Sequence, residues 1–165
     1  MDDAFSDILA NNARYAETFR HGGFDGIARA GVLAVTCMDS RIVPLAMLGL
    51  DFGDAKILRS PGGRVTHDVL TGCILGVHLL NVDRILVIPH SRCAVGSGDD
   101  RFLADKVRAK TGADISGMVL GSTPDQEAGL RFDVELLRSH PLLAGRVTVG
   151  GFYYDVDTGR LDQRY

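Results

Sequence analysis

A chain of 165 residues is long enough to bury one core, and 45% apolar with 24% charged residues is the balance of a globular protein rather than a disordered one. A net charge of −3 with scattered basic residues argues against a nucleic-acid groove. No apolar run reaches the ~20 residues that span a bilayer, so neither a nucleic acid nor a membrane is expected as a partner.

The first residues, Met1-Asp2-Asp3-Ala4-Phe5, are acidic where a secretory signal would be basic and then apolar, so a cytoplasmic protein is expected. Phe5, Ile8, Leu9, Asn12, Tyr15, Ala16 and Phe19 then recur at helical spacing, which predicts a helix over 4–20 with one apolar face. His21 to Gly26 is a loop. Val32-Leu33-Ala34-Val35-Thr36 has the pattern of a buried strand, and Cys37 follows it directly. A short helix opening with Pro44 is expected over 44–49, and a second strand at Ala55-Lys56-Ile57-Leu58-Arg59. The turn Ser60-Pro61-Gly62-Gly63 leads into a long helix over 65–80, with Val65, Val69, Cys73, Val77 and Leu80 as one stripe, widened by Leu70 and Ile74.

Arg84-Ile85-Leu86-Val87-Ile88 is the clearest strand, and it ends at Pro89-His90. Helices are predicted over 99–110 and 124–139, the second with Thr123 as cap, Pro124 at its first position and Asp125-Gln126-Glu127 in its first turn. Arg146 to Tyr154 alternates and, with Asp155 to Leu161, reads as a terminal hairpin turning at Asp157-Thr158-Gly159. No repeat or linker divides the chain, so one domain over 1–165 is expected. Strands alternating with helices predict an α/β fold: a mostly parallel sheet of four parallel strands plus a C-terminal antiparallel edge strand, flanked by helices.

Two clusters carry the chemistry: Cys37-Met38-Asp39-Ser40-Arg41 and His90-Ser91-Arg92-Cys93. Both follow predicted strands, at the edge where open α/β sheets place their ligands. Two thiolates and an imidazole suit zinc, and three protein ligands leave the fourth tetrahedral position open, which is the form of a catalytic site. Arg41 stays charged and can clamp Asp39 bidentately; without it Asp39 would be free to take the open position. Two thiolates offset the charge of Zn²⁺, so this zinc should acidify water less than one held by three neutral histidines, and should need higher pH or help from Asp39.

Three cysteines, two of them in ligand-like clusters, do not make a disulfide framework, and Cys73 reads as core. Gly62-Gly63 before a helix could cradle phosphate, but no nucleotide fingerprint surrounds it. Its N–H groups are instead expected beside the metal, binding substrate or holding Asp39. His67 is either a solvated first-turn residue or a proton shuttle. His21, His78 and His140 carry no motif.

Cys37-x-Asp39-x-Arg41 followed by His90-x-x-Cys93 resembles the β-class carbonic anhydrases, especially their short bacterial members. Arg59-Ser60-Pro61-Gly62-Gly63 is similar to that family's Arg-Asn-Ala-Gly segment, and Gly151-Phe152-x-x-Asp155-Val156-x-Thr158-Gly159-x-Leu161 to its closing hairpin. The likeness covers nearly the whole chain from residue 7. It implies one Zn²⁺ per chain on Cys37, His90 and Cys93, with Asp39 and Arg41 as a catalytic dyad. In an open state Arg41 pins Asp39; in a closed state Asp39 becomes a fourth ligand.

The resemblance further implies reversible hydration of carbon dioxide to bicarbonate by zinc-bound hydroxide. It also implies a homodimer or higher homo-oligomer, in which the N-terminal helix within residues 1–20 packs on the neighbour. The chain departs from the family at Arg92, where an acid is common, at Ala94 in place of glycine, at Ser60-Pro61 in place of Asn-Ala, and at Arg64. Two alternatives stay open: hydrolysis of carbonyl sulfide or carbon disulfide on the same fold, and a non-catalytic zinc- or bicarbonate-binding module with Asp39 locked on the metal.

Overall fold

In the computed structural model, which describes residues 4–165, every residue of strand β1 (Val32–Cys37) is buried. Met1, Asp2 and Asp3 lie outside the described residues. The burial of β1 follows from its place, since β2 (Ala55–Ser60) pairs along one edge and β3 (Arg84–Ile88) along the other, both parallel to it. β4 (Thr148–Tyr154) continues the sheet in parallel, and β5 (Leu161–Gln163) closes it antiparallel to β4. The order β2-β1-β3-β4-β5 is the predicted arrangement of four parallel strands and an antiparallel edge.

Alternation along the strands sends successive side chains to opposite faces. Leu33, Val35, Ile85 and Val87 face a core shared with Val69 and Cys73 of α3 (His67–Leu79) and with Leu130, Val134 and Leu137 of α5 (Gln126–Ser139). Cys73 is fully buried there, as its place on the apolar stripe requires. A second, smaller cluster joins Ala34 and Ile88 of the opposite face with Cys37 at the end of β1 and with Ile42, Cys93 and Tyr154, and Met47 and Leu48 of α2 (Pro44–Leu48) pack against it. Two ligand candidates are therefore built into that cluster.

α1 (Ser6–Thr18) is shorter than the predicted 4–20 and buries none of its residues. α4 (Asp100–Thr111) is capped by Asp99, whose side chain accepts from Phe102 N. α5 departs from expectation at its start. Its cap is Asp125, which accepts from Ala128 N at 2.9 Å, and Pro124 precedes the helix instead of opening it. Thr123 is not the cap because its hydroxyl accepts from the Arg64 guanidinium. Among the described residues no helix is long and apolar enough to cross a membrane.

Arg64 ties the turn after β2 to α5. Its Nε and one terminal nitrogen donate to the buried Asp133 carboxylate at 2.6 and 3.0 Å, and Val65 N adds a third bond at 3.1 Å. Removing one member of a buried pair strands the other. Asp133→Ala is expected to cost about 3 kcal/mol, below the upper end for such pairs because Arg64 keeps some access to water. Urea unfolding measures this as a lowered midpoint.

Candidate metal centre

The chain leaves β1 toward β2 on one side and returns to place β3 on the other, so the connections that leave the carboxyl ends of these paired strands run apart and leave a crevice between them. Crevices at such reversals are where open parallel sheets bind ligands. Cys37 is the last residue of β1, and Thr36 beside it is in register with Ile88, the last residue of β3. Beyond β3 the chain stays pinned to β4, because Tyr154 N donates to Pro89 O at 3.0 Å and Ser91 N to Tyr154 O at 2.9 Å. His90 is thereby bridged to Tyr154 and delivered into the crevice. A second hold comes from α5, where Gln126 donates to His90 O at 3.2 Å while accepting from Tyr153 at 2.9 Å.

Cys37, His90 and Cys93 are all buried, their ligand atoms lie within 4.8 Å of one another, and the two sulfurs are 4.0 Å apart. His90 Nδ1 lies 2.9 Å from Ser91 O, which makes Nδ1 the protonated nitrogen and leaves Nε2 with its lone pair. Nε2 is a buried side-chain atom with no hydrogen-bond partner. The thiols share a proton: the S–H of Cys37 and the backbone N–H groups of Gly96 and Val95 draw Cys93 down to about 6. Donation to Cys93, followed by burial, pushes Cys37 up to about 12. An ion with affinity for thiolate displaces that shared proton. Two sulfurs and an unpaired imidazole nitrogen, buried and preassembled within reach of one another, fit a zinc-type ion.

Asp39 stands beside this trio. Arg41 grips its carboxylate through Nε to Oδ1 at 2.9 Å and a terminal nitrogen to Oδ2 at 2.7 Å, and Arg41 N adds a bond to Oδ1 at 2.9 Å. The side-chain bonds to Arg41, then the backbone one, hold Asp39 well below the usual carboxylate range. Its Oδ2 is nevertheless only 3.8 Å from His90 Nε2. Arg59 steadies the same loop by donating to Asp39 O at 3.4 Å and to Ile42 O.

Gly62 and Gly63 have φ values of +72° and +70° and are buried. A Cβ on Gly63 would come within 3.0 Å of Ile88 O and 3.2 Å of Cys37 N, so glycine lets this turn pack on the ends of β1 and β3. Among the described residues the hydrogen bonds on the Asp39 carboxylate come from Arg41 and not from the glycine N–H groups. His67 is the exposed first residue of α3 and lies outside the Cys–His–Cys cluster. Ser91, Gln126, Tyr153 and Asp155 have roles around the ligands that no local pattern announces, since their contacts join residues 27 to 64 positions apart.

A family model described as carbonic anhydrase matches residues 32–113. β-Carbonic anhydrase 1 of Mycobacterium tuberculosis is 29% identical over 157 residues, covering 95% of each chain. The crystal structure of a carbonic anhydrase from Streptococcus mutans superposes with a TM-score of 0.89 at 31% identity, over 99% of this chain and 98% of that one. The chain belongs to the β-class carbonic anhydrase family. A carbon disulfide hydrolase of Acidithiobacillus thiooxidans is also similar, 27% identical over 76% of this chain and 72% of its own.

Membership accounts for the donor set, since β-carbonic anhydrases are zinc-dependent lyases and the Cys37–His90–Cys93 cluster can hold a metal ion. Two of the departures from the family pattern have structural partners: Arg64 is neutralised by Asp133, and Arg92 pairs with Asp157. Neither cation is left facing the ligands unpaired. Replacing Cys37, His90 or Cys93 singly by alanine is expected to weaken zinc binding by more than about a hundredfold, beyond the effect of losing an outer hydrogen-bond partner. Competitive titration against a chromophoric chelator measures it.

Proposed function

We propose that the protein is a zinc carbonic anhydrase that interconverts carbon dioxide and bicarbonate, with Cys37, His90 and Cys93 as ligands and Asp39–Arg41 as the dyad at the open position. The observation that carries this reading is the unpartnered Nε2 of His90 facing two sulfurs while Asp39 is turned to Arg41. Zinc held there supplies a Lewis acid that ionises water and so provides a nucleophile for a small electrophilic carbon.

The chain's own residues do the remaining work. Arg41 keeps the Asp39 carboxylate from filling the fourth position, a balance made delicate by the 3.8 Å from Oδ2 to His90 Nε2. Asp39, held ionised by Arg41, accepts a hydrogen bond from the nucleophile and orients it. A carboxylate so firmly ionised is a poor proton store, so the proton released passes to buffer, with exposed His67 as candidate relay. The Gly62-Gly63 turn, packed against Cys37, forms the wall on which substrate rests.

Residues 1–165 act as one domain in this reading, and the partner is a second copy. The support for that is α1, whose Ile8, Leu9 and Tyr15, with Phe5 at its cap, are all more than half exposed on a helix that buries nothing. Cytoplasmic action suits the free thiols of Cys37, Cys73 and Cys93. The similarity to a carbon disulfide hydrolase supports a second reading, in which carbon disulfide or carbonyl sulfide is the substrate. A non-catalytic module with Asp39 locked on the metal is disfavoured by the bidentate hold of Arg41.

Stopped-flow assays of the zinc-loaded protein separate these readings. Carbon dioxide hydration rising above pH ~8 and outpacing sulfide release supports the first, given the charge carried by two thiolates. Faster sulfide release selects the second, and bound zinc without turnover at any pH rejects both. Arg41→Ala is expected to lower kcat/KM about a hundredfold by releasing Asp39. Leu9→Asp is expected to shift the protein toward monomer in analytical ultracentrifugation.

A further inference from the structure

The loop that carries His90 and Cys93 is gripped from outside by the turn of the terminal hairpin. Ser91 Oγ accepts from Val156 N at 3.0 Å and donates to Asp155 Oδ1 at 3.4 Å. The next residue, Arg92, pairs through its guanidinium with Asp157. Asp157 is itself fixed in the turn, since its N–H donates to Asp155 Oδ1 at 2.8 Å.

Arg92 has φ +54°, the left-handed region that an L side chain enters only at a cost. In that conformation its carbonyl accepts from a terminal nitrogen of Arg41 at 3.1 Å. The same nitrogen donates to Asp39 Oδ2 at 2.7 Å. One guanidinium nitrogen thus links the strained loop to the carboxylate beside the ligands.

We propose that Asp157 is a positioning residue: it holds Arg92 in the left-handed conformation that keeps the Arg92 carbonyl on Arg41, and through Arg41 it keeps Asp39 turned away from the Cys37–His90–Cys93 cluster. The inference rests on the reading of that cluster as the metal site. Arg41 grips Asp39 in any case, so the clamp biases the balance rather than creating it. Both side chains of the Arg92–Asp157 pair are more than half exposed, and exposed pairs contribute little, so the bias is about two- to fivefold.

The test uses the full-length protein loaded with cobalt(II), whose visible bands report thiocyanate binding at the open position. If Asp157→Ala frees Asp39 to compete for that position, thiocyanate affinity falls about two- to fivefold. Asp157→Asn, which keeps the size of the side chain, is expected to act in the same direction and stands in should the alanine variant fold poorly. Loss of a nearby negative charge alone would raise affinity for an anion, so the two explanations differ in sign. In an Asp39→Ala background the fall must disappear, because the competitor is gone.

Unchanged or tighter thiocyanate binding in the cobalt-loaded Asp157 variants overturns this inference and leaves the metal site standing. A fall that persists without Asp39 does the same. Wild-type protein that takes up no cobalt overturns the inference and the metal-site reading together.

Discussion

A buried imidazole nitrogen with nothing to bond to is the constraint on which this structure turns. His90 is completely buried and spends Nδ1 on the carbonyl of Ser91, so its other nitrogen presents a bare lone pair to two sulfurs. Leaving such an atom unsatisfied costs about 1–3 kcal/mol. The two thiols add their own conflict, since burial disfavours the thiolate that their shared proton leaves behind. A single divalent ion held by the three would resolve both at once, and in the proposed reading this joins the fold to its chemistry.

The sheet order supplies the convergence. Cys37 reaches the crevice because β1 is an interior strand, flanked by β2 and β3, and His90 because β3 lies beside it and β4 holds the chain for three residues past the strand end, through Ser91. Once the backbone is so fixed, Asp39 and Arg41 need only two residues of loop to meet bidentately at the rim. The rim is then a contest between two positions for one carboxylate. Arg41, Arg59 and the carbonyl of Arg92 all lie on the side that keeps Asp39 away from the ligands.

The strands and the gathering of Cys37, His90 and Cys93 are legible in the sequence because each rests on a local signal. An apolar β-branched run ending in cysteine, and another ending in Pro-His, say where a strand stops and what it delivers. The start of α5 escapes a local reading for the opposite reason. Thr123 and Pro124 have the local chemistry of a helix start, but Arg64, 59 residues away in sequence, claims the threonine hydroxyl and the cap passes to Asp125. The hairpin contacts of Ser91 and Arg92 were equally hidden, because pairings 64 and 65 residues apart leave no periodicity to read. Gly62-Gly63 announced its unusual backbone, but its close packing on the ends of two strands distant in sequence could not be read locally.

X-ray absorption at the zinc edge, on protein loaded with one equivalent of the metal, decides whether Cys37, His90 and Cys93 share one ion. Two sulfur neighbours at about 2.3 Å and one imidazole are expected, with the imidazole signature lost in His90→Ala. A shell of oxygen and nitrogen alone, or one unchanged by removing His90, would contradict the shared site.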